Sequence, residues 1–389
     1  MDFDRDIGRR DTACASYRTD AKFGIAPDNV IPMWIADSDF ETAPCVNAAL
    51  SDAVAHGAYG YGYDKDAYKA ANVWWMKERH GWDIDPDWVV ACHGLGYAIA
   101  SVIDIWSEPG EGVAYFTPVY HEFRLKTERA GRRPVELPMA LQGRTYVFDW
   151  DAAEAAITPD TRILLFCSPQ NPSGRVWTTD ELRAVAEFAA RHDLILVSDE
   201  VHNDLVFDGS AHVPMDIAAP EHRDRTITLH AASKTFNLAG LRTGQYIIPD
   251  DRLRETVVQR LAALNYDAAT LGILATTTAF SVEGDLWRQA QVVYLAENRQ
   301  LFDEGLNAIP GVKSMPLEAT FLPWVDFSGT GMTDQEIEDR LHHHAGVVSA
   351  PGPWFGAGGE SFHRFNLTFP RATLTEAVRR IQEAFADLQ

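Results

Sequence analysis

Lys234 lies in the run His230-Ala231-Ala232-Ser233-Lys234-Thr235-Phe236-Asn237-Leu238-Ala239-Gly240-Leu241-Arg242, just past an apolar stretch at 226–229. Its neighbours are small or apolar. Burial disfavours the ammonium form, so a lysine in such a setting can lose its proton. The neutral amine can then attack a carbonyl and form a Schiff base. Eight residues on, Arg242 is a permanent cation suited to a phosphate. An imine-forming lysine and a phosphate-binding arginine point to an aldehyde that carries a phosphate, namely pyridoxal phosphate (PLP). Lysines near strand ends are common structural residues, so this stretch needs support from the rest of the chain.

That support comes from the elements that must hold the lysine. Short apolar runs at 88–92, 113–116, 163–167, 194–198, 226–229 and 245–248 alternate with helical patterns. Helices are expected at 44–56, 68–80 and from Gly96 to about Trp106, and one more opens on a capping box, Thr178 with Glu181. Strands that are apolar throughout belong in a sheet covered on both faces. The pattern predicts a doubly wound α/β domain. Ligands of such sheets sit outside the carboxyl ends of the strands. Gly94, Tyr120, Asn171, Asp199 and Lys234 all fall at or just past those ends. Five separate strands thus deliver their special residues to one edge.

Each residue has chemistry to match. The backbone N–H groups that follow Gly94, at Leu95 and Gly96, open a helix and can cradle a phosphate. The segment is no dinucleotide fingerprint, because Ile99 stands where a third glycine is required. Tyr120 can lay its ring on a flat heterocycle. A buried Asp199 needs a cation or a hydrogen bond, which a protonated pyridine nitrogen supplies. Asn171 can donate its amide to a ring oxygen. Taken singly, Asn171 between two prolines reads as an Asx turn and Asp199 as a helix cap. The convergence of all five outweighs those readings.

The chain has 389 residues, room for a large domain and a smaller one. A hydrophobic content of 46% is that of a protein with a real core. The net charge of −22 argues against nucleic acid or an anionic membrane as partner. It also means that an anionic substrate must meet a locally positive site. Cys14, Cys45, Cys92 and Cys167 form no metal-binding or disulfide pattern, and no metal is expected. The start of the chain is charged, with no apolar signal segment, and no run of about 18 apolar residues is present. A cytoplasmic protein with reduced thiols is expected.

Residues 1–45 read as an irregular arm ending in Met33-Trp34-Ile35-Ala36-Asp37-Ser38-Asp39-Phe40, either a surface strand or a wall of the cleft. Tyr59, Tyr61 and Tyr63 stand on a glycine-rich loop, where a phenol can pack or donate to a phosphate. A long helix is expected over about 284–309, with Leu286, Ala290, Val293 and Leu301 on one face, broken by Glu297. Beyond it the pattern turns α+β, with strands at 320–327 and about 363–367 and a helix over 333–344. The division expected is an arm over 1–45 that contributes to the small domain and the cleft, a large domain over 46–283, and a small one over 284–389. Arg364 is either a surface ion-pair residue or an inward arginine for a carboxylate. The loop 352–359 is a mobile cover or an ordinary turn. His342, His343 and His344 read as a solvated helix end.

Taken together, these residues resemble the fold-type I PLP enzymes of the aspartate aminotransferase superfamily, over nearly the whole chain. Ser-Pro-Gln-Asn-Pro-Ser-Gly at 168–174, Ser-Asp-Glu at 198–200, Ser-Lys at 233–234, Gly-Leu-Arg at 240–242 and Arg-Phe-Asn at 364–366 follow its pattern in order. Residues 33–40, His56-Gly57-Ala58-Tyr59-Gly60-Tyr61 and Asp199-Glu200-Val201-His202 are similar to the MalY/PatB group of cystathionine β-lyase-like carbon–sulfur lyases. The resemblance implies a mixed, mostly parallel sheet in a large domain plus a smaller α+β domain. It implies PLP bound by Lys234, Gly94, Leu95, Gly96, Tyr120, Asn171, Asp199, His202, Ser233 and Arg242. Lys234, Asp199 and Tyr120 would be catalytic. Arg364 would bind the substrate carboxylate, with Ala36 and Asp37 beside it, and Tyr61 would reach in from a second subunit of a homodimer with shared sites. His202 either hydrogen-bonds near the ring oxygen or only packs. Two positions depart from the pattern: Ala231, where a hydroxyl is frequent, and Ala319, where a glycine is. The implied reaction is β-elimination from a sulfur amino acid, cystathionine giving homocysteine, pyruvate and ammonia. An aminotransferase shares these residues, and a regulator that keeps the fold without catalysis is the remaining alternative.

Overall fold

Strands here are apolar on both sides because helices cover both faces of the sheet. The computed structural model describes residues 1–26, 29–60, 64–207 and 209–388. In chain order the first strands are β1 (Ile31–Pro32), β2 (Val89–Cys92), β3 (Gly112–Thr117), β4 (Arg133–Gln142), β5 (Thr145–Phe148), β6 (Thr161–Cys167), β7 (Ile195–Asp199), β8 (Thr226–His230) and β9 (Gly244–Ile247). Past a long helix come β10 (Lys313–Ser314), β11 (Trp324–Asp326), β12 (Val347–Val348), β13 (Ala350–Pro351) and β14 (Phe362–Arg364). The large sheet has the order β2-β9-β8-β7-β6-β3-β4-β5. Its centre, from β4 to β8, is parallel. Strand β9 is antiparallel to both its neighbours, and β5 is antiparallel to β4. The sheet is therefore mixed and mostly parallel, as expected.

Alternate residues of each central strand enter different cores. Ala114, Phe116, Leu164 and Phe166 pack with Leu182, Val185 and Phe188 of the helix Thr179–Arg191. Val113, Tyr115, Ile163 and Leu165 pack on the other face with Ile99, Val102 and Ile103 of the helix Leu95–Trp106. That helix and the helix Pro44–His56 lie where the sequence puts them. Thr178 and Glu181 form the expected capping box. The hairpin of β4 and β5 was not expected. Val135, Leu137 and Met139 are buried there between less buried neighbours, the period of a strand with one face inward.

A smaller sheet of order β10-β11-β14-β13 follows the long helix. The helix spans Val282–Asn307 and buries Trp287, Gln291, Leu295, Asn298 and Phe302. This corrects the expected face, since Leu286 and Val293 stand 56% and 63% exposed. The buried stripe hides two amides, and Asn298 Nδ2 caps the carbonyls of Leu367 and Phe369 at 2.8 and 3.0 Å. A stripe containing such polar residues looks less apolar than the face turned outward. The histidine reading is corrected too. His342 is buried in the turn Arg340–His344, with Nε2 3.2 Å from the Ser349 carbonyl, while His343 and His344 are exposed. Residues on successive positions of a helical turn point in different directions, so one of three can face the core.

The arm runs between these parts. Strand β1 pairs in parallel with β12. Asn366 Nδ2 donates to the carbonyls of Ile35 and Asp37, and Asn237 Nδ2 to those of Ser38 and Phe40. Residues 33–40 are thereby fixed between β14 and the loop that carries Lys234, so the arm is a cleft wall. Among the described residues, no helix is long and apolar enough to cross a membrane.

Candidate active site

At the carboxyl edge of the large sheet lies a cavity of about 600 Å³. Gly94, Leu95, Gly96, Tyr120, Asn171, Asp199, His202, Ser233, Lys234, Arg242 and Ala36 all line it. Five strands end there; four supply a residue from the turn that follows, and β7 supplies its own last residue, Asp199.

One end of the cavity suits an anion. Gly94 has φ +78°, which a residue with a side chain rarely adopts, and a Cβ there would lie 3.5 Å from the Arg242 backbone. The turn lets the helix Leu95–Trp106 begin at the cavity wall. The amides of Leu95 and Gly96 have no intrahelical acceptor in that first turn. Arg242 stands beside them in a left-handed conformation, φ +50°. Its guanidinium has no acidic partner among the described residues. Ala231, the departure from the family pattern, is buried against Gly244, off the cavity wall.

The other features are an amine and a carboxylate. Lys234 Nζ donates to the Ala36 carbonyl at 2.7 Å. Burial, and next the charge of Arg364, push its pKa down to about 8, against the pull of Asp37 and Asp199. Asp199 is 4% exposed, and the only hydrogen bond to its carboxylate among the described residues comes from Val201 N at 3.3 Å. Burial pushes its pKa up to about 6. No cation lies within ion-pair distance of it among the described residues. Lys234 should therefore condense with a small aldehyde at a rate that climbs through about pH 8, whereas an ordinary lysine titrates at 10.5. Borohydride trapping followed by peptide mapping reads this out; a rate still climbing towards pH 10.5 would contradict the burial argument.

Tyr120 stands in the turn after β3, edge-on to Phe123 at 6.1 Å, and burial raises the pKa of its phenol. His202 is buried, its ring against Phe321, and its Nδ1 has no partner among the described residues. Burial lowers its pKa well below the usual histidine range, and Lys234 and Arg364 add to this, so it is a neutral imidazole with one nitrogen open. Of the two readings of His202, the packing contact with Phe321 is seen.

Arg364 is turned inward, 2% exposed, and forms no ion pair with a described residue. Its Nη1 donates to Asn171 Oδ1 at 3.0 Å and its Nη2 to the Trp34 carbonyl at 2.8 Å. The same bond orients Asn171, whose Nδ2 remains free to donate. Arg364 stands behind Asn171 and is not itself on the cavity wall. Asp37 is a correction to the expected substrate contact. Its carboxylate is held by Arg9 Nη2 at 2.6 Å and by Ser16 Oγ, so it reaches the cavity only through its charge on Lys234. Tyr61 lies outside the described residues. Glu122 and Lys126 also line the cavity, joined at 2.7 Å, and were not expected. They sit four residues apart on a helix whose polar face reads as solvated; their proximity to Tyr120 was the available signal.

Beneath Lys234 lies a buried hub. Asp204 accepts from Trp75 Nε1 at 2.9 Å and Thr235 Oγ1 at 3.0 Å, and its Oδ1 is 3.0 Å from His80 Nε2. Through Thr235 the hub holds the residue next to Lys234, and through its own chain the turn after Asp199. His80, Asp204 and His230 place ligand atoms within 4.8 Å of one another, but the carboxylate is already engaged by those donors.

The donor set fits PLP: an amine of lowered pKa, a buried carboxylate that lacks a cation, an open neutral imidazole, and an anion cradle with a free arginine. Residues 28–381 match the model of the aminotransferase class I and II family, and the chain belongs to that family. Cystathionine β-lyase PatB of Bacillus subtilis (strain 168) is 33% identical over 394 residues, 99% of this chain and 100% of PatB. Protein MalY of Escherichia coli (strain K12) is 33% identical over 387 residues, 97% of each chain. The crystal structure of cystalysin from Treponema denticola, which contains a pyridoxal 5'-phosphate cofactor, matches with a TM-score of 0.94 at 30% identity, covering 100% of this chain and 99% of its own. Within the family the chain falls in the MalY/PatB-type group.

Proposed function

We propose that this chain is a PLP-dependent carbon–sulfur β-lyase that converts L-cystathionine, or a related S-substituted cysteine, and water into a thiol, pyruvate and ammonia. Its similarity to cystathionine β-lyase PatB from end to end carries the reaction type. The cavity at Lys234 and Asp199 supports it. When bound, PLP supplies an aldehyde for amino groups and a ring that accepts the electron pair left at Cα.

This chain's residues would do the rest. Arg364, which stands behind Asn171, would reach past that side chain to the α-carboxylate, its guanidinium fixed by Asn171 and Trp34. Lys234, neutral near pH 8, takes the Cα proton. Asp199 would keep a proton on the heterocyclic nitrogen, and Asn171 Nδ2 and His202 would address the ring oxygen. Tyr120 would stack on the ring. The amides of Leu95 and Gly96, with Ser233 and Arg242, would take the phosphate. The Cβ–S bond then breaks, and the sulfur leaves with its electron pair as a thiolate.

The same reading assigns a large cofactor-binding domain to 46–283, a small one to 284–389, and a cytoplasmic setting in which all four cysteines stay reduced. It also assigns a homodimer with shared sites. Tyr59 and Tyr266, 67% and 45% exposed, support a contact surface beside the phosphate end, where Tyr59 shares a cavity with Arg242.

Incubating pure holoprotein with L-cystathionine and no keto acid tests the reading. Pyruvate and a free thiol are expected. Turnover only when a keto acid is added would mean an aminotransferase, and an inert holoprotein would mean a binding or regulatory protein.

A further inference from the structure

From Arg364 a row of aromatic contacts runs outward. The Arg364 guanidinium carbon lies 4.9 Å from the centre of the Phe355 ring. Phe355 meets His121 edge-on at 5.8 Å, and His121 meets Trp354 at 6.0 Å. Trp354 and Phe355 belong to the loop after β13, which is an ordered turn, Gly352–Phe355. Lys22 ends the row. Its Nζ lies 3.9 Å from the Trp354 centroid and 4.6 Å from that of Trp34. Phe23 stacks on Trp354 at 5.8 Å and pins the short helix Thr19–Phe23 to that turn.

Lys22 makes no ion pair with a described residue, in a chain whose net charge of −22 offers acidic side chains everywhere. On the other side of His121 stands Glu122. One of its oxygens accepts from Lys126, and the other lies 4.0 Å from His121 Nε2. His121 Nδ1 is buried and has no partner among the described residues. Burial pushes His121 down to about 4, so it is neutral, and Arg364, Glu122, Lys22 and Arg124 are the charges that act on it. A cation and an anion thus both act on His121, along a row of contacts that begins at Arg364.

We propose that Lys22 and Glu122 form a second charged subsite, at the outer end of this row, which takes the amino-acid head on the leaving group of the substrate. Lys22 would meet its carboxylate and Glu122, which lines the cavity, its ammonium. The inference rests on the lyase reading for its substrate: L-cystathionine carries such a head beyond sulfur, and S-methyl-L-cysteine does not. Lys22 is a specificity residue here, since the bond-breaking atoms lie at the other end of the row.

Binding separates this from the reaction. In PLP-loaded Lys234→Ala protein, calorimetry gives the affinities of L-cystathionine and S-methyl-L-cysteine. Adding Lys22→Met is expected to cut the preference for L-cystathionine about tenfold, the scale of one charge-assisted contact. Lys22→Arg should restore most of it, and Glu122→Gln should lower it independently. Equal weakening of both ligands, or an unchanged ratio in both Lys22→Met and Glu122→Gln, would overturn the subsite. Pyruvate release by the otherwise unaltered protein is scored separately. No pyruvate with the binding preference intact would overturn the lyase reading and leave the subsite standing.

Discussion

Lys234→Ala is expected to lose about ten-thousand-fold or more of the pyruvate-forming rate, at the upper end of what a positioned general base supplies. The loss should appear in kcat, because the residue acts on the Cα proton after substrate is held. It should be larger than that of a simple base removal, since the same amine is also proposed as the cofactor's covalent anchor. The visible absorption of a protein-bound imine should vanish from the resting protein with it. Ala36 explains why no neighbour can substitute: its carbonyl, 2.7 Å from Nζ, fixes the amine inside the cavity. Lys126, also on the cavity wall, is committed to Glu122. Stopped-flow proton abstraction and an absorption spectrum check both parts. A variant that kept turnover and spectrum would remove Lys234 from the mechanism.

Asp199→Asn is expected to act in opposite directions on rate and on stability. With cofactor bound, the carboxylate is proposed to hold a proton on the ring nitrogen, and its loss should cost about a hundred- to a thousand-fold in kcat, as for other preorganised electrostatic groups. In the cofactor-free protein the same carboxylate is a burden. Its pKa rises from 3.8 to about 6 on folding, so the folded state prefers the protonated form. Stability is therefore lost as pH rises from about 4 to about 6, and the full penalty, on the order of 3 kcal/mol, is present above that window. Cofactor-free Asp199→Asn should melt a few degrees above the unsubstituted protein at pH 7 and show no such advantage near pH 3.5. Equal melting temperatures at both pH values would mean that Asp199 has a partner in the folded chain.

Much of the site was legible before the fold. Gly94, Tyr120, Asn171, Asp199 and Lys234 could be placed together because an apolar run marks a strand, and parallel strands bring their carboxyl ends to one edge. That inference needs only period and chain direction. Arg242 followed from its nearness to Lys234 in sequence, and Ser233 from the family resemblance. The hairpin of β4 and β5 carried its own signal, the alternation of Val135, Leu137 and Met139, although Pro134 and Pro138 weaken it as a strand.

What the sequence by itself determined was the order of strands and helices, the lysine, the acid and the amide at their ends, and the family to which those motifs belong. Only the tertiary structure decided which way Arg364 points, which face of Val282–Asn307 is buried, that Arg9 and Ser16 claim the Asp37 carboxylate, and that Lys22 stands over the Trp354 ring. The reason is physical. A strand or helix states its own period locally, but the partner of a charge is set by where distant segments cross. Arg364 meets the Trp34 carbonyl 330 residues away, and Lys22 meets Trp354, so neither contact has any signature in the residues around it.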